Sequence, residues 1–128
     1  MIGVGAPVGD EHIGDAGIDI LFGGNGTDYL NGGGGADLVD YSASNAAVIV
    51  DLNSGTALGG HANGDVLSSI ERLIGSAFAD TLIGNASANV LSGGNAGDVL
   101  SGGDDADVLN GDAGEDILIG GNSADQLS

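Results

Sequence analysis

Aspartate returns at a fixed interval along this chain. Read in nines from Gly14, the sixth position of successive blocks is Asp19, Asp28 and Asp37. After an irregular stretch it is Asp80, Asn89, Asp98, Asp107, Asp116 and Asp125. Every one of these nine blocks opens with glycine. Of the 19 acidic residues 16 are Asp, the one basic residue is Arg72, and the formal net charge of the 128 residues is −18. Short carboxylates beside glycine-rich turns suit a hard cation that takes about six to eight oxygens, calcium above all. Like charges at this density repel in a compact fold, and bound cations would cancel part of that repulsion.

Other chemistries lack their residues. There is no cysteine, which excludes a disulfide scaffold or a thiolate metal site and is compatible with any redox compartment. His12 and His61 have no second pair of metal-type residues at zinc spacing, so turn or surface roles are expected for both. Ser42 and Ser44 follow Tyr41 without a GxSxG elbow. The run Gly32–Gly35 lacks the GK[ST] of a phosphate loop, and no EF-hand loop is present. With one Arg and no Lys, phosphates cannot be neutralised, so nucleic acid is no partner. An anionic membrane surface would repel the chain. Ala46–Val50, the longest apolar run, is too short to span a bilayer, so no membrane insertion is expected. No basic region followed by an apolar stretch marks a leader at the N-terminus. Arg72 is expected to pair with a nearby carboxylate on the surface, a contact worth little. No catalytic set stands outside the repeat register, and no enzymatic activity is expected.

The elements that must hold the aspartates follow from the same period. Position 8 is Leu in eight blocks and Val39 in the ninth, and positions 7 to 9 are rich in Val, Ile and Leu, which suit a short strand. Positions 1 to 5 hold Gly, Asn, Asp, Ala and Ser, which suit a tight turn. A three-residue strand cannot bury its own face, but stacked units can. The position 8 side chains, Leu21 to Leu127, are then the continuous core. Glycine arrives too often for helix interiors, at ~1 kcal/mol each. The chain therefore reads as an all-β solenoid, one domain over 1–128 with a degenerate start at 1–13, repeats at 14–40, an irregular insertion at 41–74 and repeats at 75–128.

Within 41–74, Val48, Val50 and Leu52 alternate with Ile49 and Asp51 as in a half-buried strand, and Asn53-Ser54-Gly55 marks a turn. GHANGDVLS at 60–68 matches GGNAGDVLS at 93–101, which puts Asp65 at position 6 and Leu67 at position 8. Counting back from Gly75 instead puts Glu71 at position 6 and Leu73 at position 8. The two registers overlap, so one is expected to fail locally. Position 7 should face outward, yet it holds Val90, Val99, Val108 and Ile117, with Ile20, Tyr29 and Leu38 earlier. Such rows suit either strand propensity or a contact surface.

The pattern GGxGxDxLx resembles the hemolysin-type calcium-binding repeat, the RTX nonapeptide. GGNGTDYLN at 23–31 meets it at every specified position. The resemblance implies a right-handed parallel β-roll, with two nonapeptides per coil and a strand in each of two facing sheets. It implies several calcium ions in the turns, held by position 6 carboxylates and by carbonyls of the glycine turns. The metal residues it implies are Asp19, Asp28, Asp37, Asp65, Asp80, Asn89, Asp98, Asp107, Asp116 and Asp125, with Gly24, Gly26, Gly33, Gly35, Gly94, Gly103 and Gly114. Partners lie 18 residues apart: Asp19 with Asp37, Asp80 with Asp98, Asn89 with Asp107, Asp98 with Asp116, Asp107 with Asp125, and more weakly Asp10 with Asp28. Position 4 departs from glycine at Phe78, Ser87, Ala96, Asp105 and Ser123. A left-handed backbone costs Asp least and Phe most there. Sites touching 75–92 are expected to be weak or empty.

The function implied is that of a calcium-binding module of a secreted bacterial protein, disordered in calcium-poor cytoplasm and folded by calcium outside the cell. The alternatives are a calcium-dependent structural or self-assembling extracellular protein, associating end to end or face to face, and the accessory domain of a secreted enzyme. Secretion in this family commonly uses a type I system with a signal beyond the C-terminal repeats. No such tail is visible, so either a larger parent or an end-to-end stacking unit is expected.

Overall fold

Positions 7 to 9 of each unit are too apolar to leave in water, and the glycines before them let the chain turn within six residues. The outcome is a flattened coil. The computed structural model describes residues 2–5 and 9–128. Among them are fifteen strands and no α-helix. The first five strands are β1 Ile2–Val4, β2 Glu11–Ile13, β3 Ile20–Phe22, β4 Tyr29–Asn31 and β5 Leu38–Asp40. The insertion supplies β6 Ile49–Asp51, β7 Thr56–Leu58 and β8 Val66–Ser68. The remainder are β9 Arg72–Ile74, β10 Thr81–Ile83, β11 Val90–Asn95, β12 Val99–Gly103, β13 Val108–Ala113, β14 Ile117–Gly121 and β15 Gln126–Leu127.

Successive strands alternate between two walls, making a parallel β-roll. The first sheet runs β1-β3-β5-β9-β11-β13-β15 and is parallel throughout. The second runs β14-β12-β10-β6-β7-β8-β4-β2. Regular coils advance by 18 residues, as in Ile20 opposite Leu38 and Val99 opposite Ile117. From β11 to β14 the strands lengthen to five or six residues and run on into the turns.

Position 8 points inward on both walls. Leu21, Leu30, Val39, Leu82, Leu91, Leu100 and Leu109 are completely buried. Burying one such side chain contributes roughly 1.5–3 kcal/mol. Leu118 and Leu127, on the end strands β14 and β15 of the two walls, are half-buried and 48% exposed, respectively. Position 7 faces outward at half-buried Val90, Val99 and Val108 and at exposed Ile117, whereas Leu38 is buried.

The insertion corrects one expectation. Both overlapping registers hold: Leu30 stands opposite Leu67, and Val39 opposite Leu73. They coexist because the connection between β8 and β9 is three residues, Ser69 to Glu71, with Ser69 left-handed at φ 53° and Ile70 buried. From β5 the chain first steps ahead to β6, beside β10. It then reverses through a tight turn into antiparallel β7 and returns to β8 beside β4. The second sheet thus contains a reversed strand that the first lacks.

Two single residues also differ from expectation. His12 is neither a turn nor a surface residue: it occupies a core register opposite Leu30, half-buried, with Nε2 shielded and unpartnered. Arg72 pairs with no carboxylate among the described residues. It sits half-buried at an outward register between Leu38 and Val90, where apolar neighbours flank its stem.

Candidate metal centre

The position 6 side chains line the two edges where the walls meet, and they point along the stack. In the stacked pairs, one carboxylate oxygen of the later residue accepts a hydrogen bond from the backbone N–H of the position 6 residue one coil earlier. Asp19 N–H donates to Asp37 Oδ1 at 2.8 Å and Asn89 N–H to Asp107 Oδ1 at 2.8 Å. Asp80 donates to Asp98, Asp98 to Asp116 and Asp107 to Asp125 at 2.7–3.0 Å, and Asp10 donates to Asp28 at 2.7 Å. The structure therefore brings all six expected pairs together, one coil apart. Charge-assisted bonds of this kind are about twice as strong as neutral ones.

The second oxygen divides the turns into two kinds. At Asp15, Ser76 and Asn85 the position 2 amide donates to the position 6 side chain of its own turn, reaching Asp19 Oδ2 at 3.0 Å, Asp80 Oδ2 at 2.5 Å and Asn89 Oδ1 at 2.8 Å. Where position 2 is Gly24, Gly33, Gly94 or Gly103 its backbone is left-handed, at φ 85° to 112°, and no amide reaches the carboxylate. In those four turns Asp28, Asp37, Asp98 and Asp107 keep Oδ2 buried without a hydrogen-bond partner. A buried acceptor without a partner is costly, about 1–3 kcal/mol or more when charged. Gly121 and Asp112, at the same position of the last two turns, are also left-handed, below the half-buried Asp125 and Asp116. The unpartnered oxygens fit a hard cation, which would satisfy them and neutralise their charge.

Glycine at position 1 serves the same oxygen. Its φ is ordinary, but a Cβ at Gly23 would lie 2.5 Å from Asp28 Oδ2, and one at Gly102 would overlap the Asp107 carboxylate. Close stacking also points carbonyls from one turn at the next. A Cβ at Gly94 or Gly103 would lie 2.6 and 2.5 Å from the carbonyl oxygens of Ser76 and Asn85. All seven glycines anticipated as backbone ligands are left-handed: Gly24, Gly26, Gly33, Gly35, Gly94, Gly103 and Gly114. At position 4, Ala96, Asp105 and Ser123 accept the left-handed backbone, while Phe78 and Ser87 stay out of it. No three His, Asp or Glu side chains among the described residues converge on one point. Any cation here must draw much of its shell from carbonyls.

Burial dominates the electrostatics. It pushes the carboxyls of Asp28, Asp98 and Asp107 above the usual range, and neighbouring acids push the same way. Asp80, Asp116 and Asp112 act so on Asp98, and Asp125, Asp105 and Asp104 on Asp107.

Other position 6 groups are engaged by protein alone. Asp80 takes the Val48 N–H and the Ser76 hydroxyl on Oδ1, both at 2.7 Å. Asn89 uses its amide nitrogen on the Glu71 carbonyl at 3.3 Å. Asp65 receives the Asp28 N–H on Oδ1 and the buried Tyr41 hydroxyl on Oδ2, each at 2.8 Å. Two members of the ladder lay outside the expected set. Glu71 accepts the Asp37 N–H at 2.9 Å, and its register was countable from Gly75. Val48 fills the slot before β6 with no oxygen. Nothing in the sequence pattern singles out Tyr41 as the cap on Asp65.

A parallel two-walled coil, with inward carboxylates held by one oxygen and unpartnered at the other, is a cation-binding β-roll. The chain belongs to the RTX calcium-binding nonapeptide repeat family, whose pattern matches residues 13–45, 67–100 and 92–127. Calcium is the cation these repeats bind, and they are typical of secreted bacterial proteins. No curated protein matches the chain.

Proposed function

We propose that this chain is a secreted module, one domain over 1–128, that takes up calcium in its turns and completes its fold on doing so. The carrying observation is the set of buried, unpartnered Oδ2 atoms on Asp28, Asp37, Asp98 and Asp107. Calcium placed there would be held by these carboxylates, by Asp116 and Asp125 in the last coils, and by carbonyls of the left-handed glycine turns. Asp19, Asp65, Asp80 and Asn89, whose oxygens are engaged by backbone amides of their own turns or by the Tyr41 hydroxyl, hold the protein together instead. Binding free energy then becomes folding free energy. Calorimetric titration of the chelator-treated chain, followed by far-UV circular dichroism with magnesium as control, tests this. Calcium-specific uptake with a gain of β signal is expected, and a calcium-independent spectrum with no heat would overturn it.

A second reading has its own support. The outer face of the second sheet exposes Ile49 at 50%, Leu58 at 56%, Ile117 at 57% and Ile119 at 51%. Such a face suits self-association of a structural protein. Light scattering in calcium decides, since a strict monomer removes this reading.

A further inference from the structure

The carboxylate ladder changes character in the middle of the molecule. Between Tyr41 and Ser92 every position 6 slot either takes a protein hydrogen bond on its side chain, as Glu71 Oε2 does from the Asp37 N–H at 2.9 Å, or has no side-chain oxygen. Asp65 is closed by Tyr41, Asp80 by Ser76 and Val48, and Asn89 by Asn85 and Glu71. Among the described residues, the buried unpartnered carboxylate oxygens lie outside this stretch, at Asp28 and Asp37 before it and at Asp98 and Asp107 after it.

Charge follows the same division. Residues 1–40 carry seven acids and 93–128 carry eight, but 41–92 carry four acids together with Arg72. Repulsion is therefore weakest in the longest of the three segments. That segment also holds the most local structure. The β6–β7 hairpin closes through residues 52–55, with Asp51 Oδ1 accepting the N–H groups of Asn53 and Ser54 at 2.8 and 3.2 Å. Around it Tyr41, Val48, Val50, Leu67, Ile70 and Leu73 are buried at 5% exposure or less. Local pairing of this kind forms without first closing long loops.

We propose that residues 41–92 are a calcium-independent hub, folded in chelator, from which calcium orders two arms, 9–40 and 93–128, independently of each other. The arms rest on the calcium reading above; the hub does not. Independence follows because no buried, unpartnered carboxylate oxygen in the hub links one set of sites to the other.

Hydrogen exchange read by mass spectrometry on the full chain, in chelator and then in calcium, is the test. In chelator the amides of β6 and β8 to β10 should exchange at least about tenfold more slowly than those of the arms. Calcium should then slow both arms. Hub amides exchanging as fast as the arms in chelator would overturn the proposal, and so would arms already as slow as the hub. A protected hub with arms indifferent to calcium upholds the hub and overturns the calcium reading instead. Asp107→Asn should weaken the calcium response of 93–128 by about tenfold or more while leaving that of 9–40 and the hub unchanged. An equal loss in 9–40 would overturn independence.

Discussion

At Gly102 the missing side chain is room for the carboxylate of Asp107, so the two residues act as one unit. Gly102→Ala forces that carboxylate to move. The expected result is a loss of about 1–3 kcal/mol from overpacking and calcium binding weakened by about tenfold or more, equivalent to about 1.4 kcal/mol. Gly34 makes the control: a Cβ there meets nothing within 4 Å, so Gly34→Ala should stay within about 0.5 kcal/mol of the parent. Thermal melts and calorimetry on both variants check the contrast. Acidity is set by the same carboxyls. In the calcium-free fold burial raises Asp28, Asp98 and Asp107 above the ordinary 3.8. Between 3.8 and the raised values the folded chain holds protons that the unfolded chain has released, so stability falls as pH rises through that window. Calcium needs the ionised form, so its contribution grows with pH. Melting temperatures between pH 4 and 7 should therefore slope in opposite directions without and with calcium; parallel slopes would contradict the assignment.

Strands this short gain their stability from stacking, so the cost of losing a leucine depends on what lies above it. Leu100 is fully buried and Leu127 is 48% exposed. In calcium, Leu100→Ala should cost about 2–5 kcal/mol and Leu127→Ala under about 1 kcal/mol, read from denaturant midpoints. That ladder was legible in the sequence because period nine keeps position 8 in phase, whereas the aspartate pairs came from the resemblance, which implies two nonapeptides per coil. Other features lay beyond the pattern. The short connection at Ser69–Glu71 breaks the count without breaking the stack, so two true registers looked incompatible. The reversed β7 carries only Thr56, Ala57 and Leu58, with nothing in three residues to announce its direction. His12 was expected in a turn or on the surface by its type, but the register opposite Leu30 places it at a core position. Most telling, the split between partnered and unpartnered Oδ2 depends on whether position 2 is left-handed. Glycine there was visible, whereas the amide it withdraws was not.

Across the whole molecule the charge of −18 opposes compaction wherever cations are lacking. Raising NaCl from about 0.01 to 0.15 M shortens the screening length from about 30 to about 8 Å. The calcium-free chain should melt higher on that change, and the calcium-loaded chain should respond less, since its carboxylates are already neutralised. An equal response of the two forms would separate the charge from the cation sites. The 18-residue coil has a further consequence when the chain is held at both ends. Each regular coil advances the stack by one strand spacing, about 4.8 Å, while consuming the 18 residues that separate Val90 from Val108. Drawn straight, the same 18 residues reach about 60 Å. Withdrawing calcium from a tethered arm therefore lengthens it more than tenfold per coil, making the local calcium level a control on reach.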